Sequence, residues 1–195
     1  LTHPLLDLQT TYSVQLLSPF STQWFHAESL FIIDIWLWSG LSFAIWLSRR
    51  REKRAGAGRR PAVIALAAAC LYIAFNGAIS LMASNALAAA VRPQPDILFA
   101  NSQPALFWKR NLVWRREGMI GRASYDPLRS ISSVSDVAPP EADNMRDPVV
   151  RRAMGATPAL VRFMRWSTVP VAAVERRLCS AIVLFSDARF GTPRP

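Results

Sequence analysis

The sequence predicts a membrane protein: an α-helical transmembrane region followed by a small α+β extramembrane C-terminal domain. Three observations predict it. Hydrophobic residues make up 51% of the 195 and charged residues only 18%, unlike ordinary soluble domains. Two long apolar runs, residues 29–47 and 62–91, carry one formally charged side chain between them, Asp34. A helix over residues 29–47 spans about 28 Å, close to the hydrocarbon thickness of a bilayer, and a soluble core helix rarely runs so far without a polar face. From residue 96 onward the chain changes to short β-like runs.

The elements follow in order. Residues 1–17 read as a helix, with Pro4 tolerated in a first turn or at a kink. Residues 18–22 form a turn or re-entrant bend, and Trp24, Phe25 and His26 suit an interfacial aromatic belt. Residues 29–47, with Trp36, Trp38 and Trp46, are the first span, and Asp34 lies near its beginning. Residues 49–60, with Gly56 and Gly58, read as a solvated basic loop. Pro61 fits the first turn of a second span over about 62–84. That span is rich in Ala, Gly and Ser, which let helices approach closely in lipid. Asn76 inside it reads as an interhelical hydrogen bond. Arg92-Pro93-Gln94-Pro95 closes a transmembrane region of residues 1–92.

Residues 96–195 form the second unit. Residues 96–100, 106–115 and 119–125 have strand composition, with a hairpin turn at Glu117-Gly118. Residues 130–147, rich in Ser, Asp and Pro, read as a loop. Residues 149–166 show a helical pattern broken at Pro158, and 171–175 and 181–185 read as closing strands.

Charge placement orients the chain. The formal net charge is +10, yet residues 1–28 contain no Lys or Arg and carry Asp7 and Glu28. Residues 49–60 hold seven basic residues against Glu52. By the positive-inside rule this short basic stretch is cytoplasmic, which puts the N-terminal segment and the C-terminal domain outside the cytoplasm. The basic tail does not reverse this, since long domains translocate largely regardless of charge. Cys70 and Cys179 make no disulfide framework. The chain begins with Leu1 and shows no signal-peptide pattern, so an N-terminally truncated sequence with an upstream span is expected.

His3 and Asp7, four apart, share one face of a helix. An imidazole and a carboxylate at that spacing can hold a divalent cation between them. A catalytic metal usually takes three protein ligands, and Asp34, His26 and Glu28 are candidates for the third. The pattern also arises by chance, and on spacing alone a polar helix end bonded to its neighbours is the weightier account. The run from Phe107 to Arg116 mixes basic and aromatic residues on both strand faces. That argues against a nucleic-acid surface and fits a sheet near anionic lipid headgroups. No phosphate-cradling glycine loop, nucleophile elbow or HExxH zinc motif occurs.

The opening THPLLDLQTTYSVQLLSPFS, followed by SLFIIDIWLW, resembles the YdjM-type family of membrane-bound metal-dependent hydrolases. There the pattern runs H-x-x-x-D, T-T-Y-G, Q-L-L-x-P-F-S and then I-I-D at the head of the next span. FWKRNLVWR, GRASYD, FMRWSTVPVAAVE and VLFSDARF are similar to the family's C-terminal region. The resemblance implies a multi-pass protein of the bacterial inner membrane, with His3 and Asp7 as metal-site residues. Asp34 stands at the acidic position of I-I-D, as a ligand or general base, and Tyr12, Gln15, Pro19 and Phe20 match the connecting motif. Ser13 stands where the family commonly has Gly. The family's earlier H-R-G-x-T-H motif has no counterpart here, so the implied metal site is incomplete as it stands.

The leading expectation is therefore a divalent-metal hydrolase at the non-cytoplasmic boundary of the bilayer, acting on a lipid-like or phosphoester substrate. The rival is a non-enzymatic membrane protein whose C-terminal domain binds a protein partner.

Overall fold

The computed structural model describes residues 2–55 and 59–193. Gly56 and Gly58 of the expected loop lie outside the described residues. The elements are α1 (Thr2–Leu8), α2 (Ile35–Ala55), α3 (Arg59–Ala90), β1 (Ile97–Ser102), β2 (Arg110–Arg116), β3 (Met119–Tyr125), β4 (Ser135–Ala142), α4 (Pro148–Ala153), α5 (Pro158–Trp166), β5 (Pro170–Arg176) and β6 (Ala181–Asp187).

The N-terminal helix is shorter than the expected 1–17. After Leu8 the chain turns, and Val14 bridges Phe25 across residues 16–20. Ser13 sits at φ +67°, a left-handed backbone that a helix cannot carry. Backbone bonds from Ala27 to the Leu8 carbonyl and from Leu30 to that of Gln9 tie the returning strand of chain to the outgoing one.

α2 differs from the expected first span at both ends. It begins at Ile35 and runs through the basic stretch to Ala55, so residues 49–55 are helix rather than loop. Arg, Lys, Glu and Ala are strong helix formers, and Lys53 and Arg54 in the last turn complement the helix dipole. The second span is longer than 62–84. α3 has 32 residues, about 48 Å, and among the described residues it is the one helix long and apolar enough to cross a membrane. α2 and α3 lie side by side as an antiparallel pair. The groove between them is lined by Trp36 and Tyr72 at one end and by Arg51 and Pro61 at the other. Away from that groove the two helices expose Trp38, Ile45, Leu66 and Leu71, the kind of apolar surface that marks a membrane or protein interface.

β1, β2, β3 and β4 form an antiparallel sheet in that order, and the last turns of α3 supply one layer of its core. Ile79, Ala83, Ala86 and Leu87 pack against Ala100, Leu112, Trp114, Ala123 and Tyr125. Alternate residues on the same strands, Phe99, Val113 and Ile120, face Val169, Val171 and Ala188 on the β5–β6 side. Period-two alternation thus gives the sheet two dry faces, helix on one and hairpin on the other. Glu117 and Gly118, at φ +53° and +82°, make the expected turn between β2 and β3, both central residues left-handed as a type I′ hairpin requires.

The expected loop over 130–147 contains β4, a largely exposed edge strand that holds Pro139 and Pro140, which an edge tolerates because its outer N–H groups need no partner. The helical run over 149–166 is two helices. Asp147 caps α4 and Thr157 caps α5, each with proline in the first turn.

Candidate functional site

α1 brings His3 and Asp7 together as their spacing predicts. His3 Nε2 lies 3.3 Å from Asp7 Oδ2, with side-chain exposures of 87% and 45%. Two donors each about 2.1 Å from one ion, at tetrahedral or right angles, stand about 3.0–3.4 Å apart. The same 3.3 Å is the distance of a direct imidazole–carboxylate contact, and the pair faces outward. Among the described residues no group of three His, Cys, Asp or Glu side chains is placed to hold a metal. Two of the expected donors stand side by side, and among the described residues the third ligand that a catalytic zinc usually takes is missing.

The other candidates are engaged elsewhere. Asp34, 7% exposed, caps α2: its Oδ1 accepts from the Leu37 N–H at 2.9 Å, and its Oδ2 accepts from the Tyr72 hydroxyl at 2.9 Å. His26 Nδ1 lies 2.7 Å from Glu28 Oε1, and the imidazole rests on Phe99 with ring centroids 4.4 Å apart. Glu28 Oε2 accepts from the Ala100 N–H.

Around Glu28 lies a buried polar cluster that joins α3 to the sheet. Arg110 is fully buried. Its Nε donates to Ser80 Oγ at 2.8 Å, and its Nη2 donates to the Asn76 carbonyl and side-chain oxygens at 2.7 and 3.1 Å. Its Nη1 donates to the Phe107 and Lys109 carbonyls. The Ser80 and Ser102 hydroxyls both donate to the Glu28 carbonyl. A buried charge survives only when its donors are all matched. Burial pushes the Arg110 guanidinium down to about 10, against the opposing pull of Tyr72, Glu28 and Asp34, so it stays charged at neutral pH.

Asn76 thus makes its main tie to a strand, not to another helix as expected. The signal was present: Arg110 shares its strand face with Leu112 and Trp114, the face that packs on α3, and Asn76 is polar inside an apolar helix. Neither residue alone says that they meet.

A second buried arginine ties the two chain ends. Arg189 Nε and Nη2 grip Asp187 Oδ1 and Oδ2 at 2.8 and 2.9 Å, and Nη1 reaches the Thr11 carbonyl at 2.7 Å. The guanidinium lies 5.1 Å from the Phe99 and Trp166 ring centroids and 5.3 Å from that of Phe190, within cation–π range. This fixes the turn that follows α1, and so the placement of His3 and Asp7, against the β5–β6 layer.

The N-terminal segment, the cap of α2 and the middle of α3 meet the sheet at one end of the helix pair, while the basic end of α2 lies at the other. No curated protein and no solved structure matches the chain. Residues 1–83 match the family model described as YdjM inner membrane protein.

Proposed function

We propose that the chain is a YdjM-type inner-membrane hydrolase that holds a divalent metal ion with His3 and Asp7 at the non-cytoplasmic boundary. The observation that carries the reading is the 3.3 Å separation of an imidazole nitrogen and a carboxylate oxygen on an exposed helix face, at the positions where this chain resembles the family's H-x-x-x-D. When bound, such an ion acidifies a water and polarises a substrate oxygen. The rest falls to the chain itself. Arg189 pins the turn after α1, and Ser29 Oγ donates to Gln9 Oε1 at 3.0 Å, which holds the end of α1 against the chain leading to α2. Asp34, engaged by Tyr72, keeps α2 in register with α3 beneath the site. A phosphoester of a lipid-like alcohol is the substrate class this location favours, since hard divalent ions with few protein ligands lean on phosphate oxygens.

The topology belongs to the same proposal. α2 and α3 both cross the bilayer, the basic end of α2 is cytoplasmic, and the sheet domain lies outside. The apolar faces of both helices and the separation of the basic end from the sheet support it. The apolar part of α2, residues 35–48, covers only about 21 Å, a shortfall that Arg49 and Arg50 can meet by reaching along their own stems toward the headgroups.

Metal analysis of the purified full chain tests the reading. About one divalent ion per chain is expected, and a His3→Ala/Asp7→Ala variant should lose it while keeping its melting temperature. A metal-free wild type, or a variant with equal metal, overturns it.

A further inference from the structure

The continuation of α2 through the basic stretch has a geometric effect that a loop would not have. In a helix, residues 42, 45, 46, 49, 50 and 53 fall on one stripe. Ser42, Ile45, Trp46, Arg49, Arg50 and Lys53 together line a surface cavity of about 560 Å³. The stripe grades along its length: apolar at Ile45, aromatic at Trp46, then three cations. Arg50 lies over the Trp46 ring at 5.3 Å from its centroid, which orders the guanidinium beside the indole. Arg49, Arg50 and Lys53 form no ion pair among the described residues.

We infer that this stripe binds the headgroup of an anionic phospholipid, in the leaflet at the basic end of the helix pair. The inference rests on the membrane reading given above. Charge complementarity selects the occupant: a phosphate beside three unpaired cations, with its glycerol and upper acyl carbons against Trp46 and Ile45. Zwitterionic lipid offers the same apolar part, but its positive group meets the cations unfavourably. A soluble anion lacks the apolar part and leaves Trp46 and Ile45 uncovered. Clustered basic residues immediately beyond a membrane helix attract anionic lipid at about 1 kcal/mol each, roughly fivefold per residue.

The test uses the full chain, reconstituted in vesicles of phosphatidylcholine alone or mixed with phosphatidylglycerol, then extracted in mild detergent for native mass spectrometry. The expected result is retained phosphatidylglycerol in preference to phosphatidylcholine. That preference should fall at least about fivefold in Arg49→Gln/Arg50→Gln/Lys53→Gln. It should persist in a variant with equal charge loss elsewhere, Arg151→Gln/Arg152→Gln/Arg162→Gln, and in the presence of excess inorganic phosphate. Insertion without lipid preference, equal loss in both variants, or displacement by inorganic phosphate overturns the lipid site alone. A chain that fails to enter either vesicle overturns the membrane reading and the lipid site together.

Discussion

Arg189 donates to the hydroxyl of Ser13 at 3.1 Å, and Ser13 holds a backbone φ of +67°, so a residue near the C-terminus supports a strained turn near the N-terminus. Left-handed backbone favours glycine, the residue the resembling family commonly has here. The serine compensates with a hydrogen bond that glycine cannot make. Ser13→Ala keeps the strain and loses the bond, with an expected cost of about 1–2 kcal/mol. Ser13→Gly loses the bond but relieves the strain, and should be close to neutral. Thermal melts of both variants decide it; equal costs would show that the backbone conformation is not what matters.

The same arginine sets an acid dependence. Burial alone would raise the Asp187 carboxyl, but the hydrogen bonds from Arg189 and Ser167 and the charge of Arg189 outweigh it and hold it below its ordinary 3.8. A group depressed in the folded state adds stability above its unfolded pKa, and that stability is lost as pH falls through the folded value. Asp187→Asn should therefore melt lower at neutral pH and show a flatter profile between about pH 5 and 2. Some slope remains, because Asp147 is also held low, first by the Val149 N–H. A variant whose profile parallels wild type through that window contradicts the assignment.

Asp34 separates capping from metal binding. Asn caps helices nearly as well as Asp, whereas Ala does not. If capping α2 is its role, Asp34→Ala costs about 1 kcal/mol or slightly more, Asp34→Asn costs little, and neither changes the metal content of the protein. Loss of metal in the stable Asp34→Asn variant would instead return Asp34 to the ligand set.

Gly121 is required by contact rather than by backbone conformation. It pairs with Trp114 across β2 and β3, and a methyl group there would meet the indole at about 2.0 Å. Gly121→Ala should cost about 1–3 kcal/mol through displacement of the ring, read as a lowered melting temperature. Trp114→Leu in the same background should recover part of the loss, whereas it only destabilises wild type.

Removing the charge from Arg110 leaves oxygens of Asn76 and Ser80 without their donor and Glu28 without a nearby cation. Arg110→Met should cost about 3–5 kcal/mol, measured as denaturant midpoint in detergent. A loss below about 1 kcal/mol would show that the cluster relaxes around an apolar side chain, as some buried ion pairs do.

What was legible in the sequence followed local rules. Apolar length marked α3, β-branched and aromatic runs marked β2, β3, β5 and β6, and Glu117-Gly118 marked a turn. Pro158 marked the break that its Thr157 cap makes real. Three features were hidden because they depend on competition. Arg49 to Arg54 read as loop from charge, while their helix propensity carries α2 onward. Pro139 and Pro140 read as loop residues, although an edge strand accommodates them. Asp34 read as a third metal ligand, or a general base by its match to the I-I-D motif, and the free N–H groups at the start of α2 account for a carboxylate there equally well. The buried cluster was beyond sequence reasoning, since Arg110 and Asn76 are far apart in the chain and meet only once the sheet lies on α3.

The unbroken course of α3 has a mechanical meaning. If its first twenty or so residues lie in lipid, the remainder, carrying Ile79 to Leu87, rises about 18 Å as the spine of the sheet. There is no joint between anchor and domain. A tilt or rotation of α3 in the bilayer would then pass to the sheet, and by way of Phe99 and Arg189 to the turn that follows α1, the helix of His3 and Asp7. On that reading the sheet is a lever fixed to its axle.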